Sequence, residues 1–514
     1  MRLSPVAVTI PAITLVVALA TSCADSASKS LPNPTPLPAP KVLTATARTL
    51  EASALVVELT GTLSAPGNIY VEYGNSSHGR FQSRPVISNQ NTYTVHATRL
   101  RANIIYDYQV FGTDLHGGTT TGPTGTFETG PLPKVLEESR FKVYTGQPTR
   151  PITFLEYRQK GFMGLAAFDG EGEIVWYFKG AEGVPDEPTG EQPYSMDRRP
   201  NGNIVYIAGF QGGTTGKGLV EIKPTGEEIA RLVDECSPYG PIHHEVQILQ
   251  DGRIMYLSRE VHWDGYGDPS HPQEGDTIGI WNPSTDKNQI IWNIFDHISP
   301  SDRTAPDSDR RLPGFPVWGG CDRDRSVQDW SHANSAVMAE DGSVLVSLRH
   351  LDQIVSISPD FEKIQWRIGG PGSDYVFPQV SDRFYEPHTA IPLADGNILM
   401  FDNGNDRPNE EGGQYSRALE LEVDHKNKTV RKIWEFVHDP LIFSVCCSSV
   451  ERLPNGNTLI LFGSNFLPDP RPFKIMEITP QGQVAWDVLH VSRGKQNQYR
   501  VYSADSIMGE QRIE

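Results

Sequence analysis

Apolar and polar residues alternate in short runs through most of this chain, and Gly, Asn, Asp and Pro separate the runs. Such alternation is typical of half-buried β-strands, and an Asp-Gly or Asn-Gly pair between two runs is typical of a tight hairpin. The stretch from Trp330 to His350 has this arrangement around Asp341-Gly342. Helical patterns are nearly absent, so the sequence predicts an all-β protein.

A two-part unit recurs between residues 145 and 505. Its first half is a polar residue, a strand, an Asp/Asn-Gly turn and a second strand, and its second half is two more strands, the last ending in Trp. The turns begin at Asn201, Asp251, Asp341, Asp395 and Asn455, and a sixth unit begins at Pro151. Four strands per unit at a period of about 50 residues predict a six-bladed β-propeller over 145–505. We expect a strand at Tyr499–Tyr502 to close it. Two packed all-β domains without closure are the alternative, which the regular period disfavours.

The amino-terminal residues predict export. Residues 1–23 combine Arg2, an apolar run and the small-residue site Ala18-Leu19-Ala20, as an export signal does. Cys23 resembles the cysteine of a bacterial lipoprotein signal, displaced by one residue, and a plain secreted protein with an incidental cysteine fits equally well. The predicted location is therefore periplasmic, with or without membrane anchoring through lipid on Cys23, or otherwise secreted.

Two further segments precede the repeats. Residues 24–41 are rich in Ser and Pro and predict an extended tether. Residues 42–133 alternate apolar and polar positions between turns, which predicts a small β-sandwich domain. Within it, Leu100 and Tyr106 resemble the tyrosine corner of fibronectin type III modules, in which a tyrosine hydroxyl ties a strand to the preceding loop.

Charge and cysteine content restrict the partners. The formal net charge of −18 argues against nucleic acid, because phosphate binding depends on Lys and Arg. Any anionic substrate must therefore meet a local cationic patch. Cys236, Cys321, Cys446 and Cys447 permit disulfides in an oxidising compartment, most simply Cys236 with Cys321, but their pairing cannot be deduced from sequence.

Polar residues stand at one shared position of the repeats, seven residues before each turn, and a second series follows eight residues after the start of the turn. The first comprises Tyr194, His244, Asn334, His388 and Ser448, and the second includes Arg259, Arg349 and Asn403. Equivalent positions in repeats occupy equivalent places in a fold, so these side chains should face one point. His243 should face away from His244, and Arg259 is expected to pair with Glu245 or Glu260. Three imidazoles are a ligand set for metal, but two arginines favour a sulfuryl or phosphoryl group.

Several motifs resemble the bacterial arylsulfate sulfotransferase family. They are Ile242-His243-His244-Glu245, His332-Ala333-Asn334-Ser335 with Arg349-His350, Ile368-Gly369-Gly370, Pro387-His388-Thr389-Ala390 with Phe401-Asp402-Asn403-Gly404, and Arg452 to Asn457. The resemblance implies sulfuryl exchange between phenolic sulfates and phenols through a sulfohistidine, with no nucleotide donor and no cofactor.

The resemblance also implies roles for particular residues. His388 would be the nucleophile, with His244, His332, Asn334 and Arg349 around the transferring group. Asn403, Ser448 and Tyr194 are assigned to substrate binding from their repeat positions, and no metal ligand is assigned. The chain lacks the cysteine pair that some members carry ahead of the nucleophile. Oligomeric state is left open.

Two other classes of function remain compatible with the sequence. One is a non-catalytic binding or scaffold propeller, which the sandwich and tether would suit. The other is a metal-dependent propeller lyase or lactonase that uses the histidines as ligands.

Overall fold

Antiparallel β-strands account for nearly all the regular structure in the computed structural model of this chain. The residues described are 39–114, 118–159, 161–180, 192–209, 218–233, 242–263, 272–300, 328–464, 473–491 and 498–514. The all-β prediction is therefore confirmed. The predicted export signal, most of the tether, Cys236 and Cys321 lie outside the described residues.

Helices are few and short in the described ranges. They are α1 (Lys134–Glu137) and single 3₁₀ turns at Ile294–Asp296, Arg349–Leu351, Val380–Asp382 and Asn409–Glu411. Among these described residues, no helix has the length and apolar character needed to cross a membrane.

The first eight strands form two facing sheets. They are β1 (Thr46–Leu50), β2 (Ser53–Thr62), β3 (Gly67–Asn75), β4 (Gly79–Gln82), β5 (Val86–Ser88), β6 (Thr92–Ala97), β7 (Ile105–Thr113) and β8 (Thr119–Glu128). One sheet has the order β1-β2-β6 and the other has β4-β3-β7-β8, with β5 against β3. Buried Val57, Val71, Tyr73 and Val110 belong to the shared core. The predicted tyrosine tie is present, because the Tyr106 hydroxyl accepts a hydrogen bond from the Arg101 amide at 2.9 Å.

The following strands form six further sheets, which we call the ring sheets. Strand β9 (Arg140–Gly146) precedes them. The strands of the ring sheets, in chain order, are β10 (Ile152–Gln159), β11 (Phe162–Asp169), β12 (Ile174–Lys179); β13 (Gln192–Arg198), β14 (Ile204–Gly209), β15 (Gly218–Ile222), β16 (Glu228–Val233); β17 (His243–Ile248), β18 (Ile254–His262), β19 (Gln273–Asn282), β20 (Lys287–Asn293), with β21 (Gln328–Asp329) beside β19; β22 (Ala333–Met338), β23 (Val344–Leu348), β24 (Gln353–Ile357), β25 (Ile364–Ile368); β26 (Pro387–Pro392), β27 (Ile398–Asp402), β28 (Arg417–Asp424), β29 (Thr429–Val437); β30 (Ser449–Arg452), β31 (Thr458–Phe462), β32 (Lys474–Ile478), β33 (Val484–Val491), with β9 beside β33; and β34 (Val501–Ala504).

A strand from near the end of the sequence completes the first ring sheet. Strand β34 pairs with β10, which gives the order β12-β11-β10-β34. This strand overlaps the segment Tyr499–Tyr502, which the sequence predicts as the closing strand. The six four-stranded repeats are consistent with a propeller-like fold.

Hydrogen bonds from side chains link each first strand to its neighbour. They run from β34 to β13, β17, β22, β26 and β30 and back to β34, through Tyr502–Met196, Asp197–Ile248, Gln247–Met338, Ser335–Ala390, Thr389–Ser448 and Ser449–Val501. The six sheets therefore form a closed cycle.

The predicted Asp/Asn-Gly hairpins are present in five ring sheets. In each of them, the glycine amide donates to the carbonyl three residues earlier, and the glycine φ lies between 84° and 94°. Residues other than Gly and Asn rarely adopt this conformation, which explains why the pair recurs.

The last residues attach the sandwich to the first ring sheet. Strand β35 (Gln511–Arg512) pairs with β4. Arg101 also forms an ion pair with Asp169 of β11, with Nη2 and Oδ2 2.6 Å apart, and the Ala54 amide donates to the Tyr177 hydroxyl at 3.0 Å. The limits 42–133 and 145–505 stay predictions.

Candidate active site

The first strands of four ring sheets are distorted at the position that the repeats share. Pairing shifts by one or more residues after Tyr194, His243, Ala333 and His388. Such bulges increase the local twist and re-aim side chains. His244 lies in the left-handed region with φ 54°, and Thr389, next to His388, has φ 51°.

Tyr499 is the side chain on which three of the shared positions converge. Its ring centroid lies 5.3 Å from that of His388, 5.6 Å from that of His244 and 6.3 Å from that of Tyr194. Its hydroxyl donates to the Asn334 carbonyl at 3.1 Å. Burial raises the pKa of Tyr499 well above its ordinary value, so the phenol keeps its proton. Sequence analysis missed this role because no Asp/Asn-Gly turn follows Tyr499 seven residues later.

His388 lies buried at the start of β26. Its Nδ1 is 3.2 Å from Thr389 Oγ1, and that hydroxyl donates to the Ser448 carbonyl at 3.1 Å. Burial lowers the pKa of His388 well below its usual value, and the charges of Arg500 and Arg349 lower it further. The imidazole is therefore neutral at pH 7 and keeps a lone pair for nucleophilic attack.

His332 is held by a carboxylate. Its Nδ1 is hydrogen-bonded to Asp329 Oδ2 at 2.5 Å, and its ring lies 4.8 Å from that of His244 and 4.5 Å from that of His350. Burial raises the pKa of Asp329, but His332 and His350 outweigh that effect and hold it below its usual range. The carboxylate fixes which nitrogen of His332 remains open for proton transfer. Asp329 lies shortly after residues 301–327, which are outside the described residues.

His243 does not face away from His244 as the sequence predicts. The two Nδ1 atoms are 2.7 Å apart, and His243 Nε2 lies 3.1 Å from the Ser258 carbonyl. The alternation rule fails here because the positive φ of His244 and the bulge after His243 turn both rings to the same side. The pKa of each ring is lowered well below its usual value by burial and by cationic neighbours.

Arg349 supplies positive charge beside these rings. It forms an ion pair with Glu386, its Nη1 is 3.1 Å from His350 Nε2, and its Nη2 donates to the Val445 carbonyl at 3.2 Å. Its Nε is buried and has no partner among the described residues. One donor of the guanidinium group thus remains to bind an anionic oxygen.

Arg500 is a second buried cation, and sequence analysis did not single it out. Its Nη1 donates to both oxygens of Glu245, at 2.6 and 2.7 Å, and its Nη2 donates to the Asn334 carbonyl at 2.6 Å. The expectation that Glu245 or Glu260 pairs with Arg259 is wrong, since Arg259 Nη1 lies 2.8 Å from Glu274 Oε1. Glu274 lies on β19, the strand that pairs with the strand of Arg259.

The amide and hydroxyl side chains of the predicted site bind backbone and other hydroxyl groups. The Asn334 amide donates to the Pro387 carbonyl at 2.8 Å, and the Asn403 amide donates to the Ser444 carbonyl at 2.6 Å. The Ser448 hydroxyl accepts from the Gly463 amide at 3.0 Å, and the Tyr194 hydroxyl donates to the Ile242 carbonyl at 3.1 Å. These groups hold the strands that carry the histidines.

Among the described residues, one group of side chains has metal-ligand atoms close enough together to hold a cation. One ligand atom from each of Asp329, His332 and His350 lies within 4.8 Å of the others. His332 Nδ1 is already hydrogen-bonded to the Asp329 carboxylate, and His350 Nδ1 is hydrogen-bonded to the Asp329 backbone carbonyl. Arg349 Nη1 lies beside the other ring nitrogen of His350. A metal would have to displace these bonds beside a guanidinium group.

The site therefore combines a neutral imidazole, tethered imidazoles and two arginines, which are the groups that transfer of an anionic group requires. The family model of the arylsulfotransferases (ASST) matches residues 141–502. The chain belongs to this family.

Two curated relatives carry the name arylsulfate sulfotransferase AssT. The protein of Escherichia coli O6:H1 is 28% identical over 213 residues, and that of Lelliottia amnigena is 27% identical over 212 residues. Each alignment spans 34% of this chain and 35% of the relative.

Two solved structures were also found to be similar. A protein of unknown function from Bacteroides caccae is 14% identical with a TM-score of 0.41, covering 68% of this chain and 98% of that one. A streptogramin B lyase structure is 11% identical with a TM-score of 0.34, covering 82% and 98%. TM-scores this low do not establish a shared fold.

Proposed function

We propose that this protein is an exported arylsulfate sulfotransferase that moves a sulfuryl group from a phenolic sulfate ester to a phenol without a nucleotide donor. Membership of the family supports the class of reaction. The alignments with the curated relatives span about a third of their length, so the substrates are our proposal for this chain.

The observation that carries the proposal is the environment of His388. A buried imidazole with a lowered pKa is neutral, and it lies among Arg349, Arg500 and the ring of Tyr499. A neutral imidazole can attack sulfur at neutral pH, while the guanidinium groups stabilise the negative oxygens of the sulfuryl group.

The first half-reaction makes a sulfohistidine. A ring nitrogen of His388 attacks the sulfur in line, the N–S bond forms and the bond between sulfur and the aryl oxygen breaks. His332 enters the step protonated on both nitrogens, gives the proton on its open nitrogen to the phenolate, and becomes neutral as the phenol leaves. His244 cannot supply this proton, because burial keeps its imidazole neutral. Arg349 Nε is the unpaired donor that holds a sulfuryl oxygen during this step, and the positive charge of Arg500 adds to its effect.

The second half-reaction reverses these roles. The acceptor phenol gives its proton to the same histidine, its oxygen attacks sulfur, and the N–S bond breaks to restore neutral His388. Asp329 keeps the orientation of His332 constant through both steps, because it is bonded to Nδ1 throughout. Asn334 acts as a positioning residue, because its amide binds the carbonyl of the residue before His388.

We also propose an architecture for the two groups of sheets and a cellular location for the protein. We assign the ring sheets to a six-bladed β-propeller and the first two sheets to a fibronectin-III-like sandwich, which the closed cycle of first strands and the Tyr106 tie support. Residues 1–23 act as the export signal. If Cys23 carries lipid, Cys23→Ala will release the protein from the membrane fraction, whereas unchanged association would remove that explanation.

The test is an assay with 4-nitrophenyl sulfate, with and without added phenol. Release of nitrophenol that depends on the acceptor phenol is the expected result. Release with water alone would make the protein a sulfatase. No release with a panel of aryl sulfates would favour a scaffold. Loss of stoichiometric metal together with activity on chelation would favour the metal-dependent alternative at Asp329, His332 and His350.

A further inference from the structure

The loop from Ser444 to Ser448 contacts the site through its backbone. The Val445 carbonyl accepts from Arg349 Nη2 at 3.2 Å and from Asn405 Nδ2 at 3.0 Å. The Ser444 carbonyl accepts from Asn403, and the Ser448 carbonyl accepts from Thr389, the residue after His388. A change in this loop is therefore transmitted to the guanidinium group and to the strand that carries His388.

Cys446 and Cys447 lie in the middle of this loop. Both are free thiols and half-buried, and their Sγ atoms are 2.8 Å apart. Cys447 and Ser448 have φ values of 65° and 82°, a conformation that non-glycine residues adopt only when their surroundings impose it. Strain of this kind is concentrated at functional positions.

The two thiols differ in acidity. The hydrogen bond from Cys447 lowers the pKa of Cys446 to about 6, and Ser464, Arg349 and His332 contribute in the same direction. The same contact and burial raise the pKa of Cys447 well above its usual value. An attacking thiolate beside a protonated thiol is the arrangement that thiol–disulfide exchange requires.

We propose that Cys446 and Cys447 form a thiol–disulfide exchange site that takes a small-molecule disulfide such as oxidised glutathione and alters the His388 pocket when it is oxidised. The Cys446 thiolate attacks one sulfur of the external disulfide and expels the first thiolate. Cys447 then gives up its proton and attacks the mixed disulfide at Cys446, and the second thiolate leaves. Two electrons pass from the cysteine pair to the external disulfide, which leaves as two thiols.

Oxidation has a geometric consequence for the loop. Adjacent Cα atoms across a trans peptide are about 3.8 Å apart, whereas disulfides usually join Cα atoms about 4.4–6.8 Å apart. A bond between Cys446 and Cys447 must therefore distort the intervening backbone. The Val445 and Ser448 carbonyls flank this peptide, so Arg349 and Thr389 lose their present partners.

The experiment equilibrates the purified protein with glutathione buffers of increasing oxidised fraction, followed by acid quench and tryptic mapping. The peptide Ile433–Arg452 contains both cysteines and none of the other three. We expect it to lose two hydrogen atoms as the buffer becomes oxidising. In Cys447→Ser the same peptide should instead gain one glutathione on Cys446, and in Cys446→Ser it should stay unmodified.

The effect on activity rests on the proposed function and is measured separately, as nitrophenol release from the same samples. We expect the rate to fall about 10-fold in step with oxidation, because small displacements of positioned groups are costly to catalysis. Cys446→Ser should keep a constant rate across the buffers.

A peptide that remains reduced in every buffer, or that is glutathionylated equally in both variants, would overturn the exchange site. Oxidation with no change in transfer rate would overturn its coupling to the pocket, and an absence of any transfer activity in reduced protein would count against the proposed function alone.

Discussion

The residues at the shared repeat position fall into two groups that differ in their partners. His244 and His388 direct their rings toward Tyr499. Asn334 and Ser448 are buried at equivalent positions, but their side chains bind the Pro387 carbonyl and the Gly463 amide. A repeat position thus determines where a side chain lies, whereas its hydrogen bonds determine whether it is available to a substrate. The histidine group should control the chemistry, and the amide and hydroxyl group should control stability.

The largest effect is expected for His388→Ala. Removal of the nucleophile should abolish both half-reactions, and the variant should remain folded, because a single buried polar side chain is lost. Nitrophenol release and thermal unfolding measure the two effects. Exposed His425, in the hairpin between β28 and β29, provides the control variant His425→Ala, which should be fully active. Turnover by His388→Ala would exclude it as the nucleophile.

Arg349→Ala should reduce kcat/KM by about 10²–10³, the usual effect of losing a positioned donor at a developing charge. Arg349→Lys should recover only part of the rate, because one ammonium group cannot keep the contacts with Glu386 and the Val445 carbonyl and also bind a sulfuryl oxygen. Arg431→Ala removes an exposed arginine paired with Glu422 and should be neutral. An Arg349→Ala enzyme with the full rate would mean that the sulfuryl oxygens bind elsewhere.

Asp329→Asn tests whether the carboxylate positions His332. The asparagine amide can donate to Nδ1 and select the other tautomer, so we expect kcat to fall by about 10² while KM stays nearly unchanged. Asp329→Glu should restore part of the rate. If KM rises and kcat is unchanged, Asp329 binds substrate and does not orient a proton-transfer group.

Asn334→Ala should act mainly on stability. The variant leaves the buried Pro387 carbonyl without its donor, at a cost of about 1–3 kcal/mol in the free energy of unfolding. Denaturant unfolding measures this, and exposed Asn427→Ala should change stability by less than about 0.5 kcal/mol. A large loss of rate with unchanged stability would move Asn334 into the group that contacts substrate.

The repeated pattern predicts the ring sheets well because its signals are local. Period-two alternation and Asp/Asn-Gly turns depend on a few consecutive residues, and the glycine φ values explain why those residues are used. Because Tyr194, His244 and His388 occupy the same position in their repeats, the fold brings their rings together around Tyr499, although they are far apart in sequence.

The parts of the site that sequence does not predict depend on contacts between distant segments. Tyr499 and Arg500 reach the site only because β34 closes the cycle, and no turn motif marks them. Asp329 lies in the long segment between β20 and β22, outside the repeated positions, so no repeat marks it. The orientation of His243 was missed because a bulge cancels strict alternation.

The most direct test of the account is to find where the sulfuryl group is carried. Brief incubation with an aryl sulfate and no acceptor, followed by tryptic mapping under conditions that preserve acid-labile bonds, should add one sulfuryl group to the peptide Phe384–Arg417. That peptide contains His388 as its single histidine, whereas His332 and His244 lie on other peptides. Addition of phenol should remove the label. A label on the His332 or His244 peptide, or transfer without any labelled intermediate, would contradict the central role of His388.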